Sequence, residues 1–302
     1  MAKKSAKAPK AKKKIHEDLK LPASKPVKVK HLDKAPKAYR NQEFLNSPAA
    51  RPVRLLTEYF EPLDRLQRLD IKDTVVFFGS ARTLPRDVAA KNLREIKKKH
   101  SSVKKPNAKV LDEIKGAEMD LEMSRYYQDA EELAYRLTKW SKSLRKGNKF
   151  VVTSGGGPGM MEAANRGAKK AKGLSIGFNI SLPFEQYPNP YINNELNFEF
   201  HYFFMRKFWF AYLAKALVIM PGGYGTLDEL MEVLTLVQTL KLNKKMTIVI
   251  YGEEFWRKVI NFEAMAETRM ISPEDLKLFK FISTVDEAFD YLKKELTKNY
   301  VK

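Results

Sequence analysis

The chain has 302 residues, no cysteine, four histidines and a formal net charge of +20. That length suits one large α/β domain with extensions. The missing cysteines exclude a disulfide framework, a thiolate metal site and a cysteine nucleophile, and four scattered histidines argue against a metal centre, so no metal or cofactor is expected.

The charge is unevenly spread. Residues 1–40 hold 14 Lys or Arg against three acids. Residues 1–42, rich in Lys, Ala and Pro, cannot bury enough surface to offset the entropy of ordering, so a basic disordered tail is expected, followed by a single domain over 43–302. Such a tail attracts phosphates non-specifically and reads no bases, so any nucleic-acid contact it makes is salt-dependent. No apolar run reaches the length of about 20 residues that a membrane span needs, and no signal-peptide core is present, so no membrane contact and a soluble, cytoplasmic protein are expected.

Leu55, Leu56, Tyr59, Phe60, Leu63, Leu66 and Leu69 recur at helical spacing and predict an amphipathic helix over 51–69. Thr74 to Phe78 is a short apolar run ended by Gly79-Ser80-Ala81-Arg82, the pattern of a buried strand entering a loop. Residues 87–123, with a lysine-rich centre, predict an exposed charged insertion. Helical spacing returns from Tyr126 to Trp140 and leads to a strand at 150–153. Further strands are predicted at 174–180, 217–220 and 246–251, with helices at 160–172, 203–214, 227–240 and 253–267. Short apolar strands alternating with helices imply an α/β protein, a doubly wound parallel sheet with helices on both faces.

Ligands of such sheets bind beyond the carboxyl ends of the strands, where glycines admit an anion to the backbone and helix N-termini supply unpaired N–H groups. Three loops sit there: 79–83, 154–159 and 221–226. Gly155-Gly156-Gly157 and Gly222-Gly223-Tyr224-Gly225-Thr226 each open a helix, and Thr226 adds a hydroxyl. Neither loop fits a dinucleotide fingerprint, because Met160 and Asp228 stand where the third glycine belongs, and no Gly-Lys-Ser/Thr follows. Tight turns needing positive φ are the alternative for any one glycine. Two such loops at equivalent positions favour one phosphorylated ligand. Asp228, Glu229 and Glu162 fall near helix starts, where the dipole favours carboxylates with or without chemistry. Two carboxylates facing one crevice would suit cleavage through an oxocarbenium-like sugar. Arg206-Lys207 interrupts an aromatic helix, either as a solvated face or as a cation aimed at a ligand.

Phe78 to Arg82, Thr153 to Asn165, Arg206-Lys207 and Pro221 to Glu229 together resemble the LOG, or lysine-decarboxylase-like, family in its longer second subfamily. The last stretch matches P-G-G-x-G-T-x-x-E at every fixed position. The resemblance implies a Rossmann-like hydrolase that cleaves the N-glycosidic bond of a nucleoside 5′-monophosphate, AMP or a cytokinin riboside monophosphate, to free base and ribose 5-phosphate. It further implies that Glu229 stabilises the developing charge and Arg206 positions the substrate. Gly222, Gly223, Gly225 and Thr226 would hold the phosphate, and Ser80, Gly155, Gly156, Gly157, Glu162 and Lys207 would complete the pocket. It implies a homodimer or higher homo-oligomer as well. No pyridoxal-phosphate lysine motif supports decarboxylation. Two other classes share this fold: a non-catalytic carrier of a phosphorylated ligand, such as a molybdenum-cofactor carrier, and a nucleic-acid-associated protein. Glu229 and Arg206 together favour the enzyme, because a carrier has no need of a carboxylate at the ribose.

Overall fold

A strand buried on both faces must be apolar on both, and the five residues of β1 (Thr74–Phe78) are all buried. The computed structural model describes residues 32–103, 106–144, 147–182 and 187–301. Residues 1–31, most of the expected tail, lie outside them. Ala38–Arg40 forms one 3-10 turn, followed by α1 (Gln42–Asn46) and α2 (Arg51–Arg68). After β1 come α3 (Arg86–Lys99), α4 (Ala108–Ser143), β2 (Val151–Ser154), α5 (Met160–Lys170), β3 (Ser175–Ile180) and β4 (Asn197–Phe200). The chain continues through α6 (Phe203–Leu213), β5 (Ala214–Ile219), α7 (Tyr224–Gln238) and β6 (Thr247–Tyr251). It closes with α8 (Glu253–Val259), α9 (Phe262–Glu267), β7 (Lys280–Ile282) and α10 (Val285–Tyr300).

The strands form one parallel sheet in the order β4-β3-β2-β1-β5-β6-β7. This is a Rossmann-like α/β architecture, with the strand order reversing between β1 and β5. The period of two divides the central strands β1, β2, β5 and β6 between two cores. Val75 and Phe77 face Tyr127 and Leu133 of α4, Ala163 of α5 and Leu292 of α10. Val76 and Phe78 face Leu66 of α2, Phe210 of α6, Leu230 of α7 and Trp256 of α8. On the first face α5 and α4 approach closely at Gly167, where an added Cβ would collide with the Glu131 carbonyl oxygen.

Several elements depart from expectation for identifiable reasons. The charged stretch expected as an insertion is a helical hairpin of α3 and the first half of α4, joined by Lys97–Glu118 at 2.7 Å and Lys99–Glu113 at 3.0 Å. The expected helix over 253–267 is two helices. Ile260 is extended and the Asn261 side chain accepts from Ala264 N, starting α9 afresh. Strands β4 and β7 and helix α10 extend the sheet and its cover. β4 is an edge strand with alternating exposed and buried residues, and β7 has three residues, so neither presents the continuous apolar run of a central strand.

Candidate active site

At the carboxyl ends of β1, β2 and β5, three loops are stitched into one floor. Ser80 N donates to Pro221 O at 3.0 Å and Ser80 O accepts from Met160 N at 3.0 Å, so the loop after β1 is tied to those after β5 and β2. An added Cβ at Gly79 would lie 2.7 Å from Met160 Cβ, and one at Gly222 would collide with Thr226 Oγ1. These two glycines are demanded by close packing. Gly223 and Gly225 are different, for a Cβ at either meets no protein atom within 4 Å. Both border a crevice of about 740 Å³, and there the missing side chains make room for something other than protein.

Helix α7 begins at Tyr224, three residues before the expected start. The glycine turn is therefore its first turn, and the N–H groups of Tyr224, Gly225 and Thr226 lack intrahelical acceptors. The shift also moves Glu229 into the second turn, correcting its expected place in the first. Glu229 is buried and lines the crevice. Arg206, one turn into α6, brings Nη2 to 3.8 Å from Glu229 Oε1. Burial pushes the Glu229 carboxyl up to about 7, against the opposing pull of Arg206. Burial likewise lowers the Arg206 guanidinium, and its Nε is buried without a hydrogen-bond partner among the described residues. The guanidinium lies over the Phe203 and Phe210 rings, 5.1 and 5.6 Å from their centroids. The start of α6 is held from outside, since Glu58 of α2 accepts from His201 N at 2.8 Å and Tyr202 N at 3.3 Å.

The other candidates divide. Ser80, Gly155, Gly222, Gly223, Gly225 and Thr226 line the crevice with Arg206 and Glu229. Gly156 and Gly157 lie just behind it, and their carbonyls accept from Asn189 Nδ2 at 3.0 Å each. Gly156 has φ +75°, where a Cβ would meet the Asn179 amide. Glu162 and Lys207 are not brought into the crevice. Glu162 Oε1 accepts from Tyr127 OH at 2.8 Å, between α5 and α4. Lys207 turns outward to Asp228 at 2.7 Å and Glu232 at 2.9 Å.

Sequence reasoning missed the polar support. Asn165 Oδ1 accepts from Ser154 Oγ at 2.6 Å and Asn189 Nδ2 at 2.9 Å, and its Nδ2 donates to Ser175 Oγ at 2.6 Å. All four side chains are buried or nearly so, with Asn165 at 0 % exposure. The signal was an asparagine on the apolar face of α5, where an amide without partners would be costly. We expect Asn165→Ala to lower stability by about 2–4 kcal/mol, because several buried partners lose their mates together. A shift of the urea midpoint measures it.

Among the described residues no group of three or more His, Cys, Asp or Glu could hold a metal ion, and no helix is long and apolar enough to cross a membrane. Fold and crevice define a Rossmann-like protein with an open helix N-terminus beside a buried carboxylate and guanidinium. The family model described as possible lysine decarboxylase matches residues 161–292. The cytokinin riboside 5′-monophosphate phosphoribohydrolase LOG of Oryza sativa subsp. japonica is 38% identical over 72 residues, 24% of this chain and 29% of that protein. The probable phosphoribohydrolase LOGL3 of the same plant is 32% identical over 88 residues, 29% of this chain and 41% of that protein. The chain thus matches less than half the length of either relative. Over these segments it is similar to the lysine-decarboxylase-like, or LOG, family. Among solved structures, the molybdenum cofactor carrier protein of Chlamydomonas reinhardtii is 19% identical with a TM-score of 0.42, over 75% of this chain and 99% of that one.

Proposed function

We propose that the chain hydrolyses the N-glycosidic bond of a nucleoside 5′-monophosphate, AMP or a cytokinin riboside monophosphate, to free base and ribose 5-phosphate. The observation that carries this is the buried Glu229, facing Arg206 across 3.8 Å in a crevice whose other wall is the open glycine turn. The names of the plant relatives support the same chemistry.

With the phosphate on the N–H groups of the α7 turn and the hydroxyls of Thr226 and Ser80, the ribose lies toward Glu229. As the C1′–N bond breaks, positive charge builds on the sugar, and the ionised Glu229 carboxylate stabilises it in a site of low polarisability. Arg206 orients both carboxylate and substrate. Water supplies hydroxide to C1′ and its proton ends on the departing base. A carrier of a phosphorylated ligand would gain nothing from a buried carboxylate that resists ionisation.

Chromatographic detection of free base from AMP, other monophosphates and isopentenyladenosine monophosphate tests the reading, and no release from any of them would overturn it. The chemistry needs ionised Glu229, whose pKa lies at about 7, so kcat/KM is expected to rise with pH through a limb near 7 and level off above it. A flat profile between pH 5.5 and 8.5 would remove Glu229 from that role.

We also infer a homodimer. Phe204, Phe208 and Tyr212 of α6 and Phe60 of α2 are exposed, and Tyr59 and Phe208 bring the two helices onto one face, with ring centroids 5.6 Å apart. A second copy covering this face by a two-fold axis would bury it next to the helix that carries Arg206. Light scattering is expected to give twice the chain mass, and Phe208→Asp to halve it; a monomeric parent would refute the contact.

A further inference from the structure

Three charged side chains line the crevice among the described residues: Arg82, Arg206 and Glu229. The last two face one another and their charges offset. Arg82 has no such partner, for its side chain makes no ion pair or hydrogen bond among the described residues. Among the described residues the crevice therefore carries one uncompensated cation.

The backbone beneath that cation is fixed. Arg82 N donates to Ser80 Oγ at 3.1 Å, and Ser80 is held by Pro221 O on one side and Met160 N on the other. Gly159, at φ +70°, leaves no space between itself and the carbonyls of Ser80 and Ala81. Root and tip thus differ: the root is locked by two glycine loops, and the exposed guanidinium is free to swing onto a ligand with little desolvation cost.

Its reach matches the anion seat. An added Cβ at Gly222 would lie 3.1 Å from Ser80 N, so the glycine turn rests against Ser80. Arg82 is two residues further on, at most about 7 Å of chain. A phosphomonoester carries up to two negative charges, whereas a helix N-terminus supplies roughly half of one positive charge. The balance calls for a cation, and a planar guanidinium can grip two phosphate oxygens at once.

We propose that Arg82 binds the terminal phosphate of the substrate and makes the crevice selective for 5′-phosphorylated nucleosides over the unphosphorylated ones. The inference rests on the placement of the phosphate given under the proposed function. It adds the residue by which that site would tell AMP from adenosine.

The test is equilibrium binding of AMP, ribose 5-phosphate and adenosine to the full chain and to its R82Q and R82K variants, at low and moderate salt, beside base-release kinetics. R82Q is expected to weaken AMP and ribose 5-phosphate about 10–100-fold. Adenosine binding should be unchanged, R82K intermediate, and the salt dependence shallower. KM should rise with kcat nearly constant. Arg82 is exposed, so the melting temperature should not move. Equal weakening of adenosine, unaltered phosphate binding in R82Q, or no phosphate binding by the parent would each overturn the assignment. Loss of ribose 5-phosphate binding in R82Q without base release by the parent would leave Arg82 standing and sink the hydrolase reading. Base release indifferent to R82Q would do the reverse.

Discussion

Glu229→Gln is expected to fold, to release base about 10²–10³-fold more slowly than the parent, and to be the more stable protein above neutral pH. The two effects have one origin. The folded carboxyl titrates at about 7 and the unfolded one at 4.5. The native state therefore holds its proton more tightly, and ionisation penalises folding. The penalty is absent below the unfolded value, grows as pH rises from 4.5 to about 7, and is constant beyond. Removing the charge relieves it, by about 1–3 kcal/mol after allowing for the counter-ion that Arg206 loses. Urea titrations at pH 5 and pH 8 should show the gain at the higher pH alone. A variant that is inactive and equally destabilised at both would mean that Glu229 is structural.

The second large effect separates glycines that look alike in sequence. Gly225→Ala should leave stability unchanged or improved, since its Cβ meets no protein atom and alanine favours the first turn of α7. Gly223→Ala, at the N-cap, should cost at most about 1 kcal/mol, because its Cβ is equally free of protein contact. Both should weaken AMP binding by about 10–100-fold, because the methyl group occupies space a phosphate would need. Gly222→Ala and Gly156→Ala should fail differently, through collisions with Thr226 and with the Asn179 amide that destabilise the fold itself. Paired measurements of melting temperature and AMP affinity on the four variants sort them. If Gly225→Ala binds AMP as the parent does, the phosphate sits elsewhere.

The central strands were legible because burial on both faces forces uninterrupted apolar runs, as in Thr74–Phe78 and Thr247–Tyr251. The glycine turns were legible for the opposite reason, since backbone exposed at strand ends needs residues without side chains. The edges were not. Asn197–Phe200 alternates polar and apolar residues and resembles a loop until β3 is seen beside it. Within the site, Glu229 and Arg206 could be picked out, but their pairing spans α6 and α7 and depends on where α7 begins. Lys207 neighbours Arg206 in the chain, yet points to the other side of its helix because adjacent helical positions diverge by about 100°. Asn189 carries no local signature: it matters because the fold sets its amide against the carbonyls of Gly156 and Gly157.

The stitching at Ser80 has a consequence for how the molecule comes apart. Its amide, and those of Met160 and Met220, are bonded between loops at the middle of the sheet. Their exchange with solvent water requires parting the end of β1 from those of β5 and β2, which is the opening of the centre of the domain. The edge strands β4 and β7 can fray at much lower cost. Under mild denaturant the periphery should exchange its hydrogens while these central amides stay protected, and the ligand floor should be among the last parts of the protein to disassemble.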